Sequence, residues 1–471
     1  MLYKKIAILS VVGSLSLAGY QYTSSAKNVS TPIATTSTTT TKKINQAPKK
    51  TCCIKTIGSP SVLTTMHFQD KPVAKGCVFR TIFKEESAEG FLKYKTPKNV
   101  KSALDKSLKW VLKAQQKNGG WGAGLGSMQQ VRDPHAVKTD PATTSMVGMA
   151  LLRTGSTLTK GEHTHSLMKA TEYLLKEIEE TQKEVFITTK RGTQIQGKLG
   201  QNIDAVITAQ FFSNLLTKTD EKHELVTKIK TALDICVQKI QNTQDEKGRT
   251  AGGSWAGVLQ SSMANAALEA AEVNGAKVDQ DKLTKAKEYQ EQNYDVSTGT
   301  TNTADGAGIM LYSMSSSVRA SAKNARKVRE EVAQAKKENK ITNDASVTTE
   351  TLVNMGYSEE EAAKMNTSYQ VYESAKTEAQ TSRVMNGFGN NGGEEFISFL
   401  QTGESMVVGG DDAWKKWYDN VSAKMIAIQN ADGSWNGHHC ITSPSFCTAT
   451  CILILSINND AEMLSTLGES K

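Results

Sequence analysis

One short turn occurs twice in the chain, and it constrains the fold more than any other feature. Gln115-Gln-Lys-Asn-Gly-Gly-Trp121 and Gln429-Asn-Ala-Asp-Gly-Ser-Trp435 both follow a helical pattern. The Gly and Asn or Asp residues supply the positive φ angles that end a helix and reverse the chain. The large apolar face of each Trp can cover the reversed turn. We interpret Gln115, Trp121, Gln429 and Trp435 as turn residues that fasten one helix to the next, rather than as two unrelated Trp-capped turns.

Amphipathic and wholly apolar helical patterns alternate from Val100 onward. The amphipathic segments are Ser102–Gln116, Leu167–Thr181, Leu225–Gln241, Asp281–Asn293, part of Asn366–Ser382, and Trp414–Ile428. The apolar segments, rich in small residues, are Ser145–Leu152, Ile203–Leu216, Ser261–Val273, Ala304–Met314, Glu394–Val408 and Phe446–Ile457. Helices that are apolar on every side are expected to be buried. A closed ring of six hairpins buries them without leaving an end repeat to cap. The pattern therefore predicts an all-α fold, an (α/α)6 toroid, over residues 99–460.

Two segments depart from this alternation. Phe186–Gly197 alternates apolar and polar residues around Arg191-Gly192, which predicts a small β-hairpin insertion. Residues 318–382 are highly charged, which predicts a charged helical insertion, and residues 461–471 are assigned to a short tail. The connection from Gln241 to Trp255 is interpreted as a stretched copy of the repeated turn, closed by Trp255.

The N-terminal region predicts export. Lys4 and Lys5 precede an apolar run, so residues 1–18 are interpreted as a signal peptide or an uncleaved anchor. Residues 19–50 form a Ser/Thr/Lys-rich linker, and residues 51–98 form an appendage with three cysteines. We expect a periplasmic, cell-surface or secreted protein whose membrane contact is limited to the N-terminal segment.

The charge and the cysteine content indicate which binding partners and which disulfides to expect. The net charge is +8, but no basic helix face carries interleaved aromatics, so nucleic acid is not an expected partner. Seven cysteines in an exported protein are expected to pair, and the odd number leaves at least one free. Cys440 with Cys447 is one candidate disulfide, and Cys52 or Cys53 with Cys77 is another.

The repeated turn also resembles a known motif. Gln-x-x-x-Gly-x-Trp at Gln429–Trp435, with related stretches at Gln115–Trp121 and Gln241–Trp255, resembles the Gln-Trp motifs of squalene and oxidosqualene cyclases. The order of paired helices resembles the β subunits of protein prenyltransferases, and the closest resemblance is to secreted bacterial prenyltransferase/squalene-oxidase repeat proteins. The resemblance implies the toroid fold, and it implies no particular activity. The cyclase Asp-x-Asp-Asp run is incomplete at Asp411-Asp412, and Cys447 stands where prenyltransferases have a zinc-binding His.

Acidic residues lie at the starts of the apolar helices, and two histidines precede the last of these helices. We take as candidate pocket residues Asp140, Asp204, Asp305, Glu394, Glu395, His438 and His439. Negative side chains at helix N-termini also stabilise the helix dipole, which is the simpler interpretation. The alternative is an acidic mouth that binds a ligand or supplies a general acid, as in glycan-acting enzymes.

A metal site is the second hypothesis for this mouth. The candidate ligands are Glu394, His438, His439 and Cys447, and zinc is the metal that such a set favours. The competing interpretation is a Cys440–Cys447 disulfide. We expect a binding or scaffolding protein with an unknown ligand in the toroid cavity. The alternative is an enzyme, metal-dependent or not, that acts on a terpenoid or glycan, and the sequence leaves this choice open.

Overall fold

The computed structural model describes residues 94–250, 254–385 and 392–468. The predicted signal peptide, the linker, residues 51–93 of the appendage and Cys52, Cys53 and Cys77 lie outside these residues. Over the described ranges, no helix is long and apolar enough to cross a bilayer.

The described residues are mostly helical, which confirms the all-α prediction. The helices are α1 (Lys98–Lys113), α2 (Pro141–Arg153), α3 (Thr164–Glu180), α4 (Gln194–Leu199), α5 (Ile203–Thr217), α6 (Val226–Asn242), α7 (Gly257–Val273), α8 (Gln280–Glu291), α9 (Met310–Lys337), α10 (Thr349–Asn354), α11 (Glu359–Glu378), α12 (Ser382–Met385), α13 (Gly393–Val408), α14 (Trp414–Ala427), α15 (Pro444–Leu455) and α16 (Ala461–Gly468). Strands β1 (Tyr294–Asp295) and β2 (Thr300–Thr301) form one antiparallel pair.

Two of the apolar helices, α2 and α15, begin at strong start signals and are buried on every side. Asp140 accepts a hydrogen bond from the Thr143 N–H and Pro141 follows it, so α2 begins there. Ser443 and Pro444 start α15 in the same way. All residues of α2 and α15 are buried, as the sequence pattern predicts.

The buried helices pack against one another in chain order. Contacts join α2 to α5, α5 to α7, α7 to α9, α9 to α13 and α13 to α15, and α15 also packs against α2. Small residues allow these close approaches, since a Cβ atom at Gly148 of α2 would lie 2.7 Å from the Phe211 ring of α5. The amphipathic helices α1, α3, α6, α8, α11 and α14 pack on these buried helices, and α14 also contacts α1.

The predicted β-hairpin at Phe186–Gly197 is wrong. Thr193 caps the Gln196 N–H, so a short helix, α4, starts where the second strand was expected. Lys239 Nζ donates to the carbonyls of Thr181, Glu184 and Phe186. These carbonyl groups therefore have hydrogen-bond partners without a second strand. Within the described ranges the β-sheet is instead the pair β1 and β2.

The charged segment 318–382 begins inside a helix. α9 is continuous from Met310 to Lys337; its first half is buried among the apolar helices, and α11 packs along it as an outer helix. The predicted start of this helix at Ala304 is six residues early. Ala304–Gly306 is a 3-10 turn, and Ala307 and Gly308 have positive φ angles of 55° and 78° that end it.

The repeated turns share one geometry. Trp121 Nε1 donates to the Val111 carbonyl at 2.8 Å, and Trp435 Nε1 donates to the Met425 carbonyl at 2.8 Å. Each Trp is therefore tied to the helix that precedes it, and both rings are buried.

The Gln side chains of these turns reach a different helix. Gln115 Nε2 donates to the Ser166 carbonyl of α3 at 2.9 Å, and Gln429 Nε2 donates to the Ala103 carbonyl of α1 at 3.0 Å. The turn therefore fastens each hairpin to the next outer helix, and the last turn is fastened to the first helix.

The third copy of the turn lies elsewhere than predicted. Gln244, not Gln241, donates to the Gly248 carbonyl at 3.3 Å and to Lys282 of α8 at 2.7 Å. Thr250 occupies the position of the Trp, and its N–H donates to Ser261 Oγ at 3.1 Å. Trp255 is 53% exposed, so it does not close the turn as predicted.

Candidate functional site

Asp140 and Asp204 lie together at the starts of α2 and α5. Asp140 Oδ2 accepts the Ala123 N–H at 2.8 Å, and Asp204 Oδ1 accepts the Ala142 N–H at 3.0 Å. Asp204 Oδ2 accepts Gln196 Nε2 at 2.7 Å. Burial raises the pKa of both carboxyl groups, and the charge of Asp204 raises that of Asp140 further. Because these oxygens are used in capping, the pair has a structural role and offers no free ligand.

Glu394 has a different environment at the start of α13. Its side chain is fully buried, and Oε2 accepts the Ile441 N–H at 3.3 Å. Oε1 accepts no hydrogen bond from the residues that the structure describes. Burial raises the pKa of Glu394 to about 7. Tyr312 of α9 faces both Glu394 and Glu395, and burial followed by their charges raises its pKa.

Cys440 and His439 lie against this carboxyl group. Cys440 Sγ is 3.0 Å from His439 Nδ1. Burial and then the charge of Glu394 raise the pKa of Cys440, whereas Lys198 opposes the rise. His438 is exposed, and its ring packs edge-on to the His439 ring with centroids 5.6 Å apart.

The structure does not support the predicted disulfide or the predicted metal set. Cys440 and Cys447 are both free, and Cys447 donates to the Ile441 carbonyl at 3.5 Å. No group of three or more His, Cys, Asp or Glu among the described residues is placed to hold a metal ion. Glu394 and Cys447 are fully buried while His438 and His439 face solvent, so the four candidate zinc ligands do not converge.

Asp305 does not join this mouth. Its Oδ2 accepts the Tyr289 hydroxyl at 2.6 Å and lies 3.5 Å from Arg249 Nη1. Asp140, Asp204, Glu394 and Glu395 lie at helix starts, as predicted, whereas Asp305 lies in the 3-10 turn before α9.

A cavity that the sequence does not reveal lies between the buried helices. It has a volume of about 60 Å³ and every buried helix of the circuit α2, α5, α7, α9, α13 and α15 contributes to its wall. The lining is mostly apolar and includes Met146, Met149, Val206, Met263, Leu400 and Leu453. Helix α16 covers it with Met463, Leu464 and Leu467. On α2 the lining residues run from Met146 to Arg153, in the C-terminal half of the helix, and on α13 they run from Ile397 to Glu404, in its middle.

The polar side chains of this cavity differ in how they are satisfied. Arg153 donates to Glu404 at 2.6 Å and to Asp460 at 2.7 Å, and Arg319 donates to Glu269 at 2.7 Å. Gln401 is 6% exposed, and neither its amide nitrogen nor its amide oxygen has a partner in the described ranges. Gln401 is therefore the lining group best suited to hydrogen bond a bound molecule.

No family model, curated protein or solved structure matches this chain. The assignment of a function therefore rests on the geometry described above. Periodicity identifies α13 as buried on all sides, but it cannot tell which of its residues face a neighbouring helix and which face a cavity. This is why Gln401 is not apparent from the sequence.

Proposed function

We propose that the described residues form an (α/α)6 toroid in an exported protein and that the toroid binds a small, largely apolar molecule. The return contact of α15 with α2, and the bond from Gln429 to α1, support a closed ring of six hairpins. The inner helices would then enclose the cavity beneath α16, which is where a ligand would lie.

The proposal rests on the side-chain amide of Gln401, which has no hydrogen-bond partner among the described residues. A buried polar group without a partner costs about 1–3 kcal/mol, so a site that keeps one gains when a ligand satisfies it. Gln401 offers one acceptor and one donor group, which a hydroxyl or carboxamide can match simultaneously. The ligand is therefore an apolar body that carries a single hydroxyl or amide group.

The size and lining of the cavity fit such a ligand. A buried water needs roughly 10–15 Å³ on the same measure, so the space of about 60 Å³ holds a small molecule or one end of a longer one. Methionine side chains are unbranched and adapt to irregular shapes. Met146, Met149 and Met263 would adjust to the apolar body. The lining suits a terpenoid-like alcohol better than a glycan, and catalysis on either remains the alternative hypothesis.

Calorimetric titration of the full chain with 1-octanol and with the amide octanamide tests this proposal. We expect saturable binding that weakens about tenfold in Gln401→Leu, the equivalent of 1.4 kcal/mol. Asn265→Leu is the matched control, because Asn265 is equally buried and unpartnered but does not line the cavity. Absence of saturable binding in the wild type, or equal weakening in both variants, would refute the proposal.

Export rests on the N-terminal pattern of Lys4, Lys5 and the apolar run over residues 6–18. Cell fractionation of the full chain and of a variant without residues 1–18 tests it. We expect the wild type outside the cytoplasm and the shortened chain inside. Equal distribution of both chains would contradict export through this segment.

A further inference from the structure

We propose that the bound molecule is a long, unbranched chain with an uncharged hydroxyl or amide head group, and that its tail leaves the protein between α5 and α7 beneath the edge of α16. The head group lies at Gln401 in the cavity already described, the inner cavity, and the tail occupies a second cavity beside it. This inference rests on the proposed binding function, and it adds the shape, the charge and the exit path of the ligand.

The second cavity adjoins the inner cavity beneath α16. It has a volume of about 90 Å³. Asn214 of α5 and Met463 and Leu467 of α16 line both cavities. Because the two spaces share these walls, they lie side by side, and a chain that fills the inner cavity continues into the second one.

The other wall residues of the second cavity lead to the protein surface. Thr217 is the last residue of α5, and Val273 and Asn274 stand at the end of α7. Thr217 is exposed, and Val273 is 48% exposed. Ala270, one turn before the end of α7, lies deeper and is 4% exposed. The path therefore runs from a buried amide at Gln401 to an open, partly apolar rim.

The two ends of this path lie on different walls of the interior. Gln401 is on α13, whereas Asn214 is on α5. In the contact circuit of α2, α5, α7, α9, α13 and α15, two helices separate α13 from α5 in either direction. A ligand that contacts both residues therefore crosses the interior. Because both spaces are small, a thin, flexible chain fits this path better than a fused ring system.

Helix α16 covers the path from one side. It packs on α9 and α13, and Arg326 of α9 donates to the Ser465 carbonyl at 2.7 Å. Met463 and Leu467 of the same helix are half-buried and line the cavities. A methionine side chain is unbranched and adapts to irregular shapes. Met463 therefore suits a wall along which an alkyl chain lies.

The charged groups of the inner cavity favour an uncharged head group. Arg153 is paired with Glu404, and Arg319 is paired with Glu269. Both cations of the wall thus already have a carboxylate partner, and Glu404 itself lines the cavity. A carboxylate head group would lose its solvation without gaining a free cation. A hydroxyl or amide avoids that cost, because it matches the Gln401 amide.

Calorimetric titration of the full chain with 1-octanol, 1-decanol and decanoate tests the inference. Burial of each methylene group strengthens binding roughly fourfold. Because the two additional methylenes enter the second cavity, we expect 1-decanol to bind at least about fivefold more tightly than 1-octanol. We expect decanoate to bind at least about tenfold more weakly than 1-decanol, because its carboxylate must be desolvated.

Two variants fill the second cavity from different walls. They are Ala270→Leu on α7 and Thr217→Phe on α5. Each should remove the advantage of 1-decanol, while the affinity for 1-octanol stays within about threefold. If one variant fails to fold in thermal melting, the other decides.

Thr231→Phe is the matched control for Thr217→Phe. Both threonines are exposed, and each hydroxyl donates to the carbonyl four residues earlier at 3.0 Å. Thr231 lines neither cavity. The control should therefore keep the full advantage of 1-decanol.

The possible results distinguish this inference from the proposed function. Absence of saturable 1-octanol binding would refute both. Binding of 1-octanol that weakens in Gln401→Leu, with no gain for 1-decanol, would overturn the long chain and leave the binding function intact. A gain that survives in the folded filling variants, or that is also lost in Thr231→Phe, would overturn the exit path. Decanoate that binds as tightly as 1-decanol would overturn the uncharged head group.

Discussion

Replacing Trp435 with Phe should measurably destabilise the protein, although the change keeps an aromatic ring. The indole ring is 1% exposed, and its Nε1 donates to the Met425 carbonyl at 2.8 Å. Phenylalanine has no donor, so that carbonyl loses a partner inside the protein. The smaller ring also leaves space beside the turn. Trp121 makes the equivalent bond to Val111 at 2.8 Å and provides an independent repeat of the experiment.

The expected magnitude follows from these contacts. Loss of a buried hydrogen bond costs about 1–3 kcal/mol when one partner is left unsatisfied. The Met425 carbonyl keeps one other hydrogen bond, from the Ile428 N–H. The cost of losing the Trp435 bond therefore lies toward the lower end of this range. We therefore expect each of Trp435→Phe and Trp121→Phe to lower the free energy of unfolding by about 1–3 kcal/mol.

Urea denaturation followed by circular dichroism measures this loss as a shift in the transition midpoint. The control is Trp255→Phe, because that ring is 53% exposed and lies outside the turn geometry. We expect it to change stability by no more than about 0.5 kcal/mol. If Trp255→Phe destabilises as much as Trp435→Phe, or if the latter changes nothing, the Trp residues do not fasten the helices as described.

Two further predictions concern buried charge. Arg153→Met should lower the unfolding free energy by about 3–5 kcal/mol, because it removes the partner of Glu404 and one of the two partners of Asp460. The more exposed Lys218→Met removes only the other partner of Asp460 and should cost less; thermal melting compares them, and an equal loss would contradict this. Glu394 has a folded pKa of about 7 against 4.5 when free, so its contribution is complete below pH 4.5 and is lost as pH rises through 7. Glu394→Gln should flatten stability between pH 5 and 8 in denaturation series, and an unchanged slope would refute it.

Local sequence signals predicted the elements well. The apolar character of α2 and α15 is set by a few adjacent residues. The same holds for Trp121 and Trp435, where the Gln, Gly and Trp stand at fixed spacing. Such features depend on backbone preference and burial within one hairpin, so the sequence can specify them.

Features that depend on distant partners were not predictable in the same way. Thr250 replaces Trp in the third turn, and only its bond to Ser261 shows the equivalence. Cys440 lies beside His439 and is not bonded to Cys447, because the packing of the loop before α15 decides which side chains meet. The cavity next to Gln401 arises from six helices together, and no single segment contains a sign of it.

The bond from Gln429 to the Ala103 carbonyl spans 326 residues of sequence. A contact between segments this far apart can form only after a large loop has closed, and loop closure carries an entropic cost. The hairpin that contains α1 therefore lacks its neighbour until the end of the chain arrives. Folding should accordingly be limited by this late joining, and chains interrupted before Gln429 should expose the apolar flank of α1 and α2 to aggregation.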